Sequence, residues 1–281
     1  MKRDEALAYF YLGLAVVIVI VPLTWFFEMS LESKWFTGPF GFTGGSIVYF
    51  KEAFPEWNGK TLQNYYFVLT DRALPILNTL VVSCASTVAA LFLSMLAAYA
   101  LARFKIRGSE NVAYWLLSLR LTPSVVIVIP MFLFMRNIGL IDSPFALVLV
   151  YTMSLIPFDV WLLRGFFQEI PVELEEAAWI DGCSRWRSFV TIFVPLTGGG
   201  LIAASIFNMI FCWGEYLFAL ILTRTNAITI PVALYLFRSP TMMPWGPIAA
   251  MAMVATVPLF ILVLAVHKYF VRGITLGAVR G

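Results

Sequence analysis

The sequence predicts an all-α, polytopic membrane protein with six transmembrane helices and one short charged helix at the membrane surface. Three observations predict it. Of 281 residues, 61% are hydrophobic and only 12% charged, about half the charged share of an ordinary soluble domain. The apolar residues gather in runs of about 20, the length that crosses the hydrocarbon core as a helix. Between two of these runs, a single stretch from Glu173 to Pro195, "ELEEAAWIDGCSRWRSFVTIFVP", concentrates acids and bases.

The runs give the element order. An N-terminal tail and the first span occupy residues 1–29, with the apolar part from Tyr9 to Met29. Its basic flank "MKRDEA" resembles the start of a signal peptide, but the run is too long for one and "FFEMSLES" offers no small-residue cleavage site, so the span is read as retained. Residues 30–74 are punctuated by Gly, Pro and Asn and form an external loop. Residues 75–270 hold five more spans, at about 75–102, 112–135, 145–163, 197–222 and 247–266, with the charged helix at about 171–190. Residues 271–281 are a short tail. Orientation follows from basic residues. Eleven of the 19 Lys and Arg fall on the side of both termini, the "RFKIRG" turn and the charged helix; seven are spread through longer loops on the other side, and Arg120 lies within a span. The richer side is cytoplasmic.

The charged stretch reads as a helix with a purpose. Pro171 suits a helix start, where its missing N–H is not needed. Glu173, Glu175, Glu176 and Asp181 precede Arg185 and Arg187, the order a helix dipole favours, and Asp181 stands four residues before Arg185, the favourable spacing for an ion pair. Leu174, Ala178, Trp179, Cys183, Trp186 and Phe189 mark one apolar face. Gly182 lies mid-stretch, where the helix bends or another backbone approaches. A helix resting on lipid is usually rich in Lys and Arg; the excess acid here suits docking into a protein groove instead.

The same stretch resembles the coupling motif of ATP-binding-cassette importer permeases: Glu176-Ala177-Ala178, then Gly182, then Ile192 and Pro195 at the family's spacing. "LARFKIRG", "LRLTPSVVIVIPMFLFMRNIGLID", "LLRGFFQEIPVELEEAA", "WGEYLFAL" and "VRGITLGAVRG" extend the resemblance over nearly all of the chain after residue 70, to the smaller six-span permease of maltose-type carbohydrate importers. Two positions depart from the pattern, Gly214, where Asn or Asp is usual, and Cys183, where Ala is commoner. The resemblance implies a type I importer permease fold in a bacterial or archaeal cell membrane. It implies that Glu176, Ala177, Ala178, Asp181 and Gly182 contact an ATPase, and that the tail, with Arg272, Gly277 and Arg280, enters the interface between two ATPase subunits. The implied partners are a second, different permease, two ATPase subunits that carry the ATP and Mg, an extracytoplasmic substrate-binding protein and the lipid bilayer. The loop from Arg224 to Gly246 is expected to reach the binding protein. A carbohydrate is the expected cargo; glycerol phosphate, amino acids or an anion remain alternatives.

Charge inside a bilayer is costly and marks function by default. Arg120, Asp159 and Glu215 qualify, with Asn78 and Asn208 as uncharged polar groups inside spans. Asn78, Arg120, Asn208, Trp213, Glu215 and Tyr216 are the candidate pathway or substrate contacts. The competing reading makes Glu215 a packing residue, gives Arg120 a carboxylate or backbone partner and pairs Asp159 with Arg164. The pattern GxxxxGK[ST] is absent, so no phosphate loop is encoded. Cys84, Cys183 and Cys212 form no ligand spacing, and the single His267 cannot make a zinc site. The chain is therefore expected to bind no cofactor or metal, to hydrolyse no ATP and, with a net charge of +3, to bind no nucleic acid. An ion-coupled carrier is the rival class. No repeat relates the two halves, and such a carrier has no use for the charged helix.

Overall fold

Helices satisfy every backbone group within one segment, which is what lipid demands of a spanning chain. The computed structural model describes the backbone of residues 3–32, 61–237 and 244–278, and side chains over 7–32, 61–237 and 244–265. In chain order the helices are α1 (Arg3–Ser30), α2 (Gln63–Thr70), α3 (Ala73–Arg103), α4 (Ser109–Leu119), α5 (Ser124–Asn137), α6 (Pro144–Glu169), α7 (Val172–Ile180), α8 (Arg185–Ser188), α9 (Val194–Leu196), α10 (Gly198–Gly214), α11 (Leu217–Leu222), α12 (Ile230–Leu236) and α13 (Trp245–Ala278). A π-helical turn, Phe189–Phe193, joins α8 to α9. Most of the predicted external loop, residues 33–60, lies outside the described residues.

Among the described residues, four helices are long and apolar enough to cross a membrane unaided: Leu7–Ser30 of α1, α3, α6 and Trp245–Ala265 of α13. The other two predicted spans are bent pairs. The third is broken between α4 and α5, which meet at 87°. Pro123 supplies no N–H and sits in extended backbone with ψ 131° at the start of α5, a geometry that ends the preceding helix. The fifth follows a 73° bend between Arg185–Leu196 and α10, and it breaks again at Glu215–Tyr216 before α11. The 17 residues of α10 cover only about 25 Å, so the extra turn of α11 lengthens the crossing. The last helix continues as backbone to Ala278, past the predicted end of its span.

The chain forms two units, residues 1–76 with 233–258 and residues 77–232 with 259–281. In the first, α2 pins the end of α1. Asn64 donates to the carbonyls of Ser30 (2.9 Å) and Glu32 (2.8 Å), and the Ser30 and Tyr65 hydroxyls share a 2.6 Å hydrogen bond. The Arg72 guanidinium lies over the Phe67 and Phe237 rings at 6.0 and 5.3 Å.

In the second unit α6 is the axis, and half of its spanning window is buried. It contributes to two apolar clusters. Near its start, Leu147, Val150, Tyr151 and Leu155 pack with Val82 of α3, Met135 of α5, Cys212 of α10 and Leu222 of α11. Near its end, Val160, Leu163 and Phe167 pack with Ala98 and Tyr99 of α3 and with Phe189 and Phe193 of the π-turn. α10 comes close to α6 at Gly200, where a Cβ would stand 2.5 Å from the Phe166 ring.

Candidate functional site

The charged stretch folds as two helices. Ile170 and Pro171 are extended, with ψ 126° and 137°, and α7 starts directly after them. It ends in a Schellman turn, in which Gly182 N–H donates to the Trp179 carbonyl (3.0 Å) and Cys183 N–H to that of Ala178 (2.9 Å). Gly182 holds φ +81°, a conformation open to glycine and strained for other residues. Ser184 then caps α8, accepting from Arg187 N–H at 3.2 Å. The left-handed turn takes Asp181 and Arg185 off helical spacing, so their expected ion pair is replaced. Arg185 instead lies over the rings of Phe104 (5.3 Å) and Trp179 (5.1 Å).

The predicted contact residues divide by face. Glu176, Ala177, Asp181 and Gly182 are exposed together, beside Ile180 at 86% exposure, whereas Ala178 is buried. The predicted apolar face is only partly covered, since Leu174, Trp179 and Trp186 remain exposed. Glu175, read from sequence only as one of the acids at the helix start, anchors the inner face. Glu175 is buried at 3% exposure and accepts a 2.5 Å hydrogen bond from the Tyr99 hydroxyl of α3. Its other oxygen stands 3.8 Å from Arg103 Nε.

The polar groups inside the spans are mostly spent on the fold. Glu215 follows α10 and caps α11, accepting from Phe218 N–H (2.9 Å), Ala219 N–H (3.1 Å) and the Tyr151 hydroxyl (2.8 Å). Asp159 is fully buried and accepts from Asn208 Nδ2 at 2.7 Å. It therefore binds across α6 and α10, not to Arg164 as expected, because it points to the helix interface. Asn78 donates to the carbonyls of Asn226 (2.8 Å) and Ile228 (3.0 Å). Trp213 is buried at the end of α10 and Tyr216 half-buried at the start of α11.

Arg120 differs from these groups. It ends α4, is exposed, and lies over the Phe158 and Phe211 rings at 5.1 and 5.2 Å, within the electrostatic reach of the Asp159 carboxylate. It lines a cavity of about 280 Å³ at the α4–α5 break, with Thr122, Ser124, Ser154 and Phe211. Such a cavity, mostly apolar with a few convergent polar groups, has the character of a small-molecule site. Arg272 and Gly277 belong to the last turns of the α13 backbone; Arg280 lies outside the described residues.

At the opposite end of α6 from α7, Asp142 organises the segment after α11. In the left-handed conformation, φ +60°, it accepts from the N–H groups of Arg224 (2.8 Å), Thr225 (3.1 Å), Asn226 (3.1 Å) and Ala227 (3.1 Å). Thr79 accepts from Ile230 N–H at 2.8 Å. The first part of the loop expected to reach a partner is thus tied to its own helices, while residues 238–243 lie outside the described residues. The signal for this latch, Gly139 to Ser143 against Thr223 to Thr229, spans about 85 residues and is invisible in a local reading.

Apolar crossings, two of them broken, with an exposed charged helix between the fourth and fifth, define a multi-pass membrane protein. The family of binding-protein-dependent transport system inner membrane components matches residues 90–276, and the chain belongs to it. The chain is 31% identical over 274 residues to the trehalose/maltose transport system permease protein MalG of Thermococcus litoralis, covering 95% of this chain and 94% of that one. It is 34% identical over 273 residues to the trehalose transport system permease protein SugB of Mycobacterium tuberculosis, covering 95% of each. Its fold is similar to a chain in the crystal structure of a bacterial ABC transporter involved in the import of the acidic polysaccharide alginate, with a TM-score of 0.74 over 96% of this chain and 99% of that one, at 22% identity.

The Asp142 latch has a pH signature. Burial pushes its carboxyl up, but the four backbone donors together outweigh burial and hold it well below the usual carboxylate range. A depressed folded-state value makes the carboxylate's stabilisation complete above the unfolded value of about 4 and lost as pH falls further. Asp142→Asn should lower thermal stability at pH 7 by about 1 kcal/mol, and the gap from the parent should narrow as pH falls below about 4. Melting curves of the detergent-purified chain at both pH values measure it; a gap that is constant with pH rejects the charge-based account.

Proposed function

We propose that the chain is one of two different permease subunits of an ATP-driven, binding-protein-dependent importer of carbohydrate, in which α7 and α8 receive the movement of a separate ATPase subunit. One observation carries the reading: Glu176, Ala177, Ile180, Asp181 and Gly182 form an exposed face on a helix whose other face is fixed to the bundle. An isolated surface helix has no need of both. Family membership supports the importer reading, and relatives named for trehalose and maltose support carbohydrate cargo. The basic-residue count supports cytoplasmic placement of α7 and both termini, with the Asp142 latch on the side of the substrate-binding protein. ATP and Mg then belong to the ATPase subunits, and the last residues of α13 and the tail, with Arg272, Gly277 and Arg280, reach the interface between them. For cargo, the Arg120 cavity is the membrane-embedded site best suited to hydroxyls: a guanidinium fork, three hydroxyl side chains and the Phe211 ring.

The coupling face is tested in the assembled transporter. Glu176→Ala removes a charge-assisted contact worth roughly 1.5–3 kcal/mol, and Gly182→Trp adds bulk at a left-handed position. Uptake should fall at least about tenfold in each at unchanged membrane expression; normal uptake in both would sink a docking role. Deleting residues 277–281 should lower ATP hydrolysis by the complex without preventing assembly, and unchanged hydrolysis would leave the tail no part in it. Arg120→Gln should raise the KM for uptake about fivefold, the equivalent of one cation–aromatic or hydrogen-bond contact. An unchanged KM would remove Arg120 from the cargo path.

A further inference from the structure

We infer that Glu175, Tyr99 and Arg103 are the linkage that carries displacement of α7 into the membrane-spanning helices, so that they set how much transport each ATP yields. The inference rests on the permease reading and goes beyond it, because it concerns the buried face of α7, not the exposed one.

The geometry is that of a node. Arg103 ends α3, and its single guanidinium meets three other elements. Its Nη2 donates to the carbonyls of Phe167 (2.9 Å) and Ile170 (2.5 Å), which are the end of α6 and the residue that caps it. Its Nε faces Glu175 of α7 at 3.8 Å, an ion pair with 8% and 4% of the two side chains exposed. Its plane lies 4.7 Å from the centre of the Phe193 ring in the π-turn that leads towards α10. Tyr99, one helical turn earlier on α3, makes the direct hydrogen bond to Glu175. Its ring is enclosed by Phe189 (4.9 Å), Phe193 (5.1 Å) and Phe167 (6.0 Å).

The chemistry argues for transmission over simple stability. A buried ion pair gains little over well-packed apolar residues of the same size, so thermodynamic stability alone gives no reason to put Glu and Arg here. What the pair adds is direction. A hydrogen bond and an ion pair fix α7 to α3 in one register, whereas an apolar contact would let it slide. Arg103 extends that constraint to both chain connections of the charged stretch, the α6 end before it and the π-turn after it. A push on Glu176 or Ile180 from outside therefore cannot rotate α7 alone; it must move α3, α6 and the start of the fifth span with it. Glu175 and Tyr99 act as positioning residues, through other groups and without touching cargo.

The test is the ratio of transport to ATP hydrolysis in the complete transporter reconstituted in liposomes. Tyr99→Phe removes only the hydroxyl. Glu175→Gln keeps an acceptor for Tyr99 and removes the charge, and Glu175→Leu removes both. The expected result is a graded fall in cargo moved per ATP, about tenfold for Glu175→Leu and less for Glu175→Gln, while hydrolysis continues. The Tyr99→Phe/Glu175→Leu double variant should be no worse than Glu175→Leu alone, since both break one link. A ratio equal to the parent's in Tyr99→Phe and Glu175→Leu overturns the inference. So does a loss confined to the amount of assembled complex, with the ratio per assembled complex unchanged, because the residues would then only build the fold. If Glu175→Leu fails to assemble, Tyr99→Phe and Glu175→Gln decide by the same ratio. Absence of ATP-dependent transport by the parent complex would count against the permease reading itself, a separate result.

Discussion

A backbone that breaks inside a lipid-embedded bundle must satisfy its freed N–H groups from nearby side chains, and the arrangement of the second unit depends on that constraint. The fifth crossing breaks at Glu215 because the same residue catches the N–H groups of Phe218 and Ala219 as α11 begins. The Tyr151 hydroxyl completes the carboxylate's shell and ties the break to α6. An acid that would be prohibitively expensive in hydrocarbon becomes a helix cap. At the far end of the bundle Asp142 does the same for four successive amides.

The charges inside the bundle thereby sort into two kinds. Glu215, Asp159, Glu175 and Arg103 are engaged by neighbouring helices and hold them in register. Arg120 is held by aromatic faces at the wall of a cavity, with the Asp159 carboxylate as its nearby counter-charge. Rings restrain a guanidinium without using up its N–H donors, which leaves the edge of the fork available to a ligand. A moving permease needs fixed polar links that make its helices travel together, and under the proposed function Arg120 is the restrained cation of the cargo path.

Much of this was legible in the sequence. Apolar run length gave the crossings, and Pro171, the acidic first turn and Gly182 gave the limits of α7, because each acts locally on the backbone. The break in the third crossing was signalled by Arg120 and Pro123, but apolar residues on both sides masked it as one continuous run. The second break in the fifth crossing had only Gly214–Glu215 to announce it, and a cap is recognisable only once the helix it caps is known. The partners of the buried charges were not legible at all. Asp159 finds Asn208 at a separation of 49 residues and Glu175 finds Tyr99 at 76, and no periodicity connects positions on different helices. Reading Asp159 against Arg164 failed for that reason: proximity in sequence favoured a neighbour on the same helix, whereas the carboxylate faces the next one.

The three cysteines, read from sequence as packing residues, stand at sites of graded access, with Cys84 exposed on α3. Cys183 is half-buried in the Schellman turn beside the exposed face of α7, and Cys212 is buried at 2% exposure just before the break at Glu215. An alkylating reagent delivered from water to the purified chain therefore meets Cys183 at rest and Cys212 only when the α10–α11 break loosens. With Cys84 replaced by Ala, the rate of modification of Cys212 relative to Cys183 in the purified chain would report how readily its own fifth crossing loosens.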